Sequence, residues 1–142
     1  MADWLVVLSE DNWEICAREG WLGLGRDGER RLGRMADGDR VWVYISTARV
    51  GRQTPRVRRI RAVARITGPV QRLANPPWAA RGKERFAAAR PIHVERTLDL
   101  SGDLLPTLSF AQPTGPWGLR LLNAPVPLTA SDLRRLEVAA RE

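Results

Sequence analysis

Gly20-Trp21 is the dipeptide of this chain best suited to recognition chemistry. A glycine that stops a helix, followed at once by a tryptophan, puts an indole at the rim of a fold. There one ring face stays open to a flat partner; folded over the core, the same ring would be a packing residue. Ser9 and Asn12 stand just ahead, at a junction of strand and helix, where hydroxyl and amide either meet the edge of a base or cap the helix. Tyr44 and Ser46 alternate with Trp42 along a strand, so the three share a face that is either a pocket floor or a second core surface. Arg26, Arg49, Arg52, Arg58, Arg61 and Arg81 form a group of candidate phosphate contacts. Trp4, Trp13, Trp42 and Trp117 fall on regular elements at core-like spacing and read as structural.

Patterns for catalysis are weaker. Gly23 to Gly28 spells G-x-G-x-x-G, but the run follows a helix and leads into no strand–helix–strand unit, so it reads as a loop. His93, the only histidine, lies on a strand beside Glu95 without a nucleophile motif or a second metal ligand at useful spacing. Asp37 and Asp39 belong to a turn. No catalytic residue, metal site or cofactor is expected.

The elements that must position these residues are legible in the hydropathy pattern. Trp4 to Ser9 reads as a strand, and Asp11 to about Glu19 as a helix ended by Gly20. Trp21 to Arg30 reads as a loop, Arg31 to Met35 as a helical turn, and Val41 to Thr47 as a strand that follows the Asp37-Gly38-Asp39 turn. Val57 to Ile66 alternates, with Ile60, Ala62, Ala64 and Ile66 inward and Arg59, Arg61 and Arg65 outward. Pro76-Pro77 precedes an Ala-rich stretch, Trp78 to Ala89, that reads as a helix ended by Pro91. Ile92 to Leu100 and Gly118 to Leu122 read as strands, and Thr129 caps a final helix that buries Leu133, Leu136 and Ala140. This order predicts an α+β fold, a small and mostly antiparallel sheet or barrel flanked by helices, as one domain over 1–142.

Charge narrows the partner. The net +7 arises from 23 basic and 16 acidic residues, yet eleven basic residues and no acidic one lie between Arg40 and Lys83. One contiguous third supplies the whole positive field, as a polyanion-binding surface would, and codon bias toward arginine would not by itself exclude Asp and Glu there. No apolar run approaches the roughly 18 residues that span a membrane, and no amphipathic basic helix suggests a membrane surface. The lone Cys16, and a start that runs from Met1 into a strand, predict a reducing, cytoplasmic setting.

The order of elements, with the residues at their joints, resembles the EVE domain, a PUA-like family related to the YTH readers. The matching residues are Leu8-Ser9-Glu10 after the first strand; Gly20-Trp21; Leu32 to Asp39 leading into Val41 to Ser46; Ala62 to Ile66; and Trp117-Gly118 with the capped last helix. Leu8 stands where many members carry lysine. The resemblance implies a PUA-like barrel with Trp21 as one wall of a base-holding cage and Trp78 in the place of a second. It also implies that Ser9 and Asn12 lie at the base edge.

Composition and resemblance together lead to a non-catalytic nucleic-acid-binding module that holds an unpaired or flipped modified base, first of all a modified cytosine in DNA. The alternatives are an RNA-binding reader of a methylated base and, from another class, a small nucleotide-processing enzyme.

Overall fold

The computed structural model describes residues 1–25, 27–49, 54–78, 87–111, 118, 121 and 124–142. Its centre is one seven-stranded sheet in the order β2-β6-β4-β3-β1-β7, with β5 paired to β6. The strands are β1 (Asp3–Leu8), β2 (Trp21–Gly23), β3 (Arg40–Thr47), β4 (Arg56–Ile66), β5 (Gln71–Arg72), β6 (Ala88–Ser101) and β7 (Val126–Pro127). Three α-helices accompany them: α1 (Glu10–Glu19), α2 (Gly28–Leu32) and α3 (Ala130–Arg141), with 3-10 turns at Gly102–Thr107 and Ser109–Ala111. No helix among the described residues is long and apolar enough to cross a membrane.

β1 and β3 run parallel, from Asp3 opposite Arg40 to Leu8 opposite Ile45, and the other pairings are antiparallel. α1, β2 and α2 form the crossover that a parallel pair needs. Both strands are near-continuous apolar runs because the sheet is covered on both faces. One face packs Val6, Leu8, Val41, Val43, Ile45, Ala62, Ala64 and Ile66 against Trp13 and Cys16 of α1. The other packs Leu5, Trp42, Tyr44, Ile60 and Val63 against Leu105, Leu108 and Leu136. Register shifts near Tyr44, Arg61 and Val63 insert bulges that curl the sheet.

The expected α+β class is therefore found, and the expected strands and helices at 3–19, 40–47, 56–66 and 129–141 are present. Thr129 closes a capping box with Asp132, as its spacing implies. The helical turn expected over Arg31 to Met35 is found as α2 at Gly28–Leu32, within the end of the expected Trp21 to Arg30 loop, and two further expectations need correction. Trp21–Gly23 is a strand rather than part of a loop, because it pairs with Ala89 to Pro91, nearly seventy residues on, where local pattern gives no signal. The Ala-rich stretch ends as strand: Ala88 to Pro91 open β6, so pairing to β2 and β5 overrides helix propensity there. Residues 79–86 of that expected helix lie outside the described residues, as do Trp117 and most of the expected Gly118 to Leu122 strand.

Buried polar groups tie the frame together. Asp39 accepts from the backbone of Ala2 and Ala36 and from Trp4 Nε1, and Asp3 accepts from Trp42 Nε1 at 3.0 Å, so both tryptophans are structural. Arg90, only 4% exposed, donates to the carbonyls of Gly68, Leu32 and Met35 and pairs with Asp37, which closes the end of α2.

Candidate nucleic-acid interface

α1 ends where Gly20 turns into the left-handed region at φ 77°, its amide donating to the Cys16 carbonyl. The Gly20 carbonyl then accepts from Ile92, which docks the next residue, Trp21, onto β6 opposite Pro91. Trp21 and Gly23 share one face of β2. A Cβ on Gly23 would stand 2.5 Å from a ring carbon of Trp78, so that indole packs directly against the glycine. The two predicted walls are thus neighbours along one short edge strand, Trp21 half-buried and Trp78 only 5% exposed. Trp78 is the more core-like of the two.

α1 packs beside β2, and its Trp13 and Cys16 share one hydrophobic cluster with Trp21 and Trp78. Asn12 and Cys16 are one turn apart on one helix face. The Cys16 sulfur lies within hydrogen-bonding reach of the Gly23 amide, while burial, the larger effect, pushes its thiol up to about 11. Asn12 is 8% exposed, and its side-chain amide has no hydrogen-bond partner among the described residues. Ser9 stands at the N-cap of α1 but does not cap it; its hydroxyl donates to Asp11, which also accepts from the Asn12 backbone. Of the two predicted base-edge residues, Asn12 is the one with hydrogen-bonding capacity to spare.

Tyr44 and Ser46 do not join this group. Strand alternation sends them to the opposite face of the sheet, where Tyr44 packs in the second core. They line a separate cleft of about 480 Å³ with Val7, Arg56, Arg58 and Leu121. The predicted constellation is therefore split between two faces.

The basic stretch is less bare than its sequence suggests. Acidic residues from outside it fold back onto six of its arginines: Arg40 to Asp3 at 2.9 Å, Arg58 to Asp103 at 3.8 Å, Arg59 to Asp99 at 2.8 Å, Arg65 to Glu95 at 3.1 Å, Arg72 to Glu29 at 3.0 Å, and Arg61 to Glu10 at 3.4 Å and Asp99 at 3.5 Å. The hydrogen bond from Arg59 holds the Asp99 carboxyl below the usual carboxylate range. Arg61 reaches the start of α1 through Glu10, and its Nε is buried without a hydrogen-bond partner. Arg49 and Arg56 have no acidic partner among the described residues. Arg26, Arg52 and Arg81 lie outside the described residues. Arg56 was not singled out by sequence, although its alternation with Arg58 at the start of β4 was the available signal.

The glycine-rich run is also explained locally. It does follow a strand, β2, but that strand pairs antiparallel with β6, so no dinucleotide-binding unit is formed. Gly23 is needed for the approach of Trp78. His93 is exposed on β6, and no cluster of three or more metal-ligating side chains occurs among the described residues.

No family model and no curated protein matches this sequence. Solved structures do match. The YTH domain of Zygosaccharomyces rouxii MRB1, in complex with N6-methyladenosine RNA, is 13% identical with a TM-score of 0.61, covering 99% of this chain and 85% of that one. The Pho92 YTH domain in complex with m6A is 13% identical with a TM-score of 0.64, covering 99% and 84%. A Pseudomonas putida protein is 23% identical with a TM-score of 0.58, covering 99% of this chain and all of that one. At such identities the likeness is one of fold: over almost its whole length, the chain is built on the fold of the YTH domains.

Proposed function

We propose that this protein is a non-catalytic reader of a modified base on an unpaired or flipped nucleotide, as the resemblance to EVE domains implies. The observation that carries this reading is the half-buried Trp21 beside Trp78, with the unpartnered Asn12 amide on the adjoining helix face. Stacking on the indoles offsets the cost of unstacking the base, and an amide with donors and an acceptor reads a base edge. The reading is of binding without turnover. Cys16 is buried with a raised thiol pKa, which disarms it as a nucleophile, and His93 is exposed on β6. The resemblance to EVE domains favours modified cytosine in DNA. The YTH domains that share the fold were solved with N6-methyladenosine RNA and with m6A, which favours methylated adenine in RNA as the second reading.

The test is fluorescence anisotropy on short RNA and DNA strands, each with one modified base or its unmodified counterpart, at fixed salt. One modified strand is expected to bind preferentially. Trp21→Ala should weaken that binding about tenfold or more, since a stacked base is worth ~1–3 kcal/mol. A folded Trp21→Ala protein with an unchanged ratio of modified to unmodified affinity would sink the aromatic-cage reading.

A further inference from the structure

The cleft on the opposite face of the sheet is built like a ligand site in its own right. We propose that it binds a phosphomonoester with a flat apolar body, of the class of a nucleoside 5′-monophosphate, independently of Trp21. Its walls combine Val7 and Leu121 with the hydroxyl residues Tyr44 and Ser46 and the guanidinium groups of Arg56 and Arg58.

Three observations carry the proposal. Tyr44 is 5% exposed, yet its hydroxyl has no hydrogen-bond partner among the described residues and its side chain lines the cleft. The ring is buried while the hydroxyl is left open to the cleft, where a polar ligand can take the place of solvent. Secondly, the cationic wall is available. Arg56 has no acidic partner among the described residues, and Arg58 meets only the 86%-exposed Asp103 at 3.8 Å. Thirdly, Arg58 has φ 56°, a left-handed conformation rarely adopted by a residue with a long side chain. Gly102 makes this possible: a Cβ there would stand 2.7 Å from the Arg58 carbonyl oxygen and 3.1 Å from Tyr44 Cε1. Strained backbone of this kind, over-determined by its neighbours, characteristically sits at ligand clamps.

The ligand class follows from the donors and the volume. Two guanidinium forks and two hydroxyls exceed what a carboxylate's two oxygens need and suit the three terminal oxygens of a phosphomonoester. A cleft of about 480 Å³ is far larger than a phosphate ion, which leaves the apolar side for a ring system.

Calorimetric titration of the intact chain with adenosine 5′-monophosphate, adenosine and inorganic phosphate tests this. The monophosphate should bind at least tenfold more tightly than either fragment. Arg56→Gln and Arg58→Gln should each lower its affinity about tenfold, because each removes a charge-assisted bond. Tyr44→Phe should lower it by a smaller factor, and Trp21→Ala should leave it unchanged. Arg56 is exposed, so its variant keeps the test open if Tyr44→Phe fails to fold. Absence of monophosphate binding, equal binding of phosphate alone, or affinity that survives both arginine changes overturns the proposal. Binding abolished by Trp21→Ala also overturns it, by placing the ligand at the other face. Failure of the modified-base reading alone would leave this titration untouched.

Discussion

Gly23 shows how a residue with no functional group can govern a candidate site. Its missing Cβ is the space that Trp78 fills, with three ring carbons within 2.9 Å of where that carbon would stand. Gly23→Ala must therefore expel a buried indole, and overpacking of this sort costs ~1–3 kcal/mol. The expected outcome is a lower denaturation midpoint together with weaker binding of the preferred modified strand, although alanine removes no ligand contact. An unchanged midpoint would show that Trp78 gives way freely. The sequence displayed this glycine only as part of a nucleotide-binding decoy, since its real partner lies 55 positions away. Only the placement of Trp21 directly after a helix stop was legible, because Gly20 ends α1 locally; its pairing in β2 was not.

Among the elements, those written in local code could be read and those made by distant pairing could not. α1 and α3 carry caps, β1 and β3 are largely apolar runs of six and eight residues, and β4 alternates. β2 has three residues and β7 two, and each exists because a longer strand accepts it. α3 also gives a pH-dependent prediction. Burial by itself would raise the Asp132 carboxyl, but hydrogen bonds from Ser109 and Thr129 outweigh it and bring the group below the usual carboxylate range. A carboxyl depressed in the folded state stabilises fully above its unfolded value, about 3.9, and that contribution is lost as pH falls toward the folded value. Asp132→Asn should thus be less stable than the parent by about 1–3 kcal/mol at pH 7, the cost of leaving buried donors poorly paired. The gap should shrink below about pH 4. Thermal melts across pH 7 to 3 check this; a gap constant with pH would contradict it.

For the molecule as a whole, the question is how much of its charge is available. Composition gave the eleven-residue basic stretch, but the ion pairs that engage six of its members come from β1, α1, α2, β6 and the turn after β6, and no one-dimensional count reveals them. If these pairs persist in the complex, at most five of the eleven can exchange counterions for phosphates. The log–log salt slope for a single strand should then be no steeper than about −3.5. A steeper slope would mean that the carboxylates let go on binding or that basic residues outside the stretch also reach phosphates. The split of Tyr44 and Ser46 from Trp21 was equally hidden, because strand alternation says that two sets of side chains face apart but not which set meets the helix.

The two-residue β7 is a small element with a large consequence. It lies along the outer border of β1, held by Leu128, which donates to the Asp3 carbonyl, and by Arg31 and Arg34, which donate to the carbonyls of Ala124 and Pro125. Beneath it is an apolar strand whose bare amides and carbonyls would template another chain. These two arginines thus help hold the cover on that border. Arg31→Ala should loosen the strip and make the apparent size rise with protein concentration in light scattering, while a guarded border leaves that size constant.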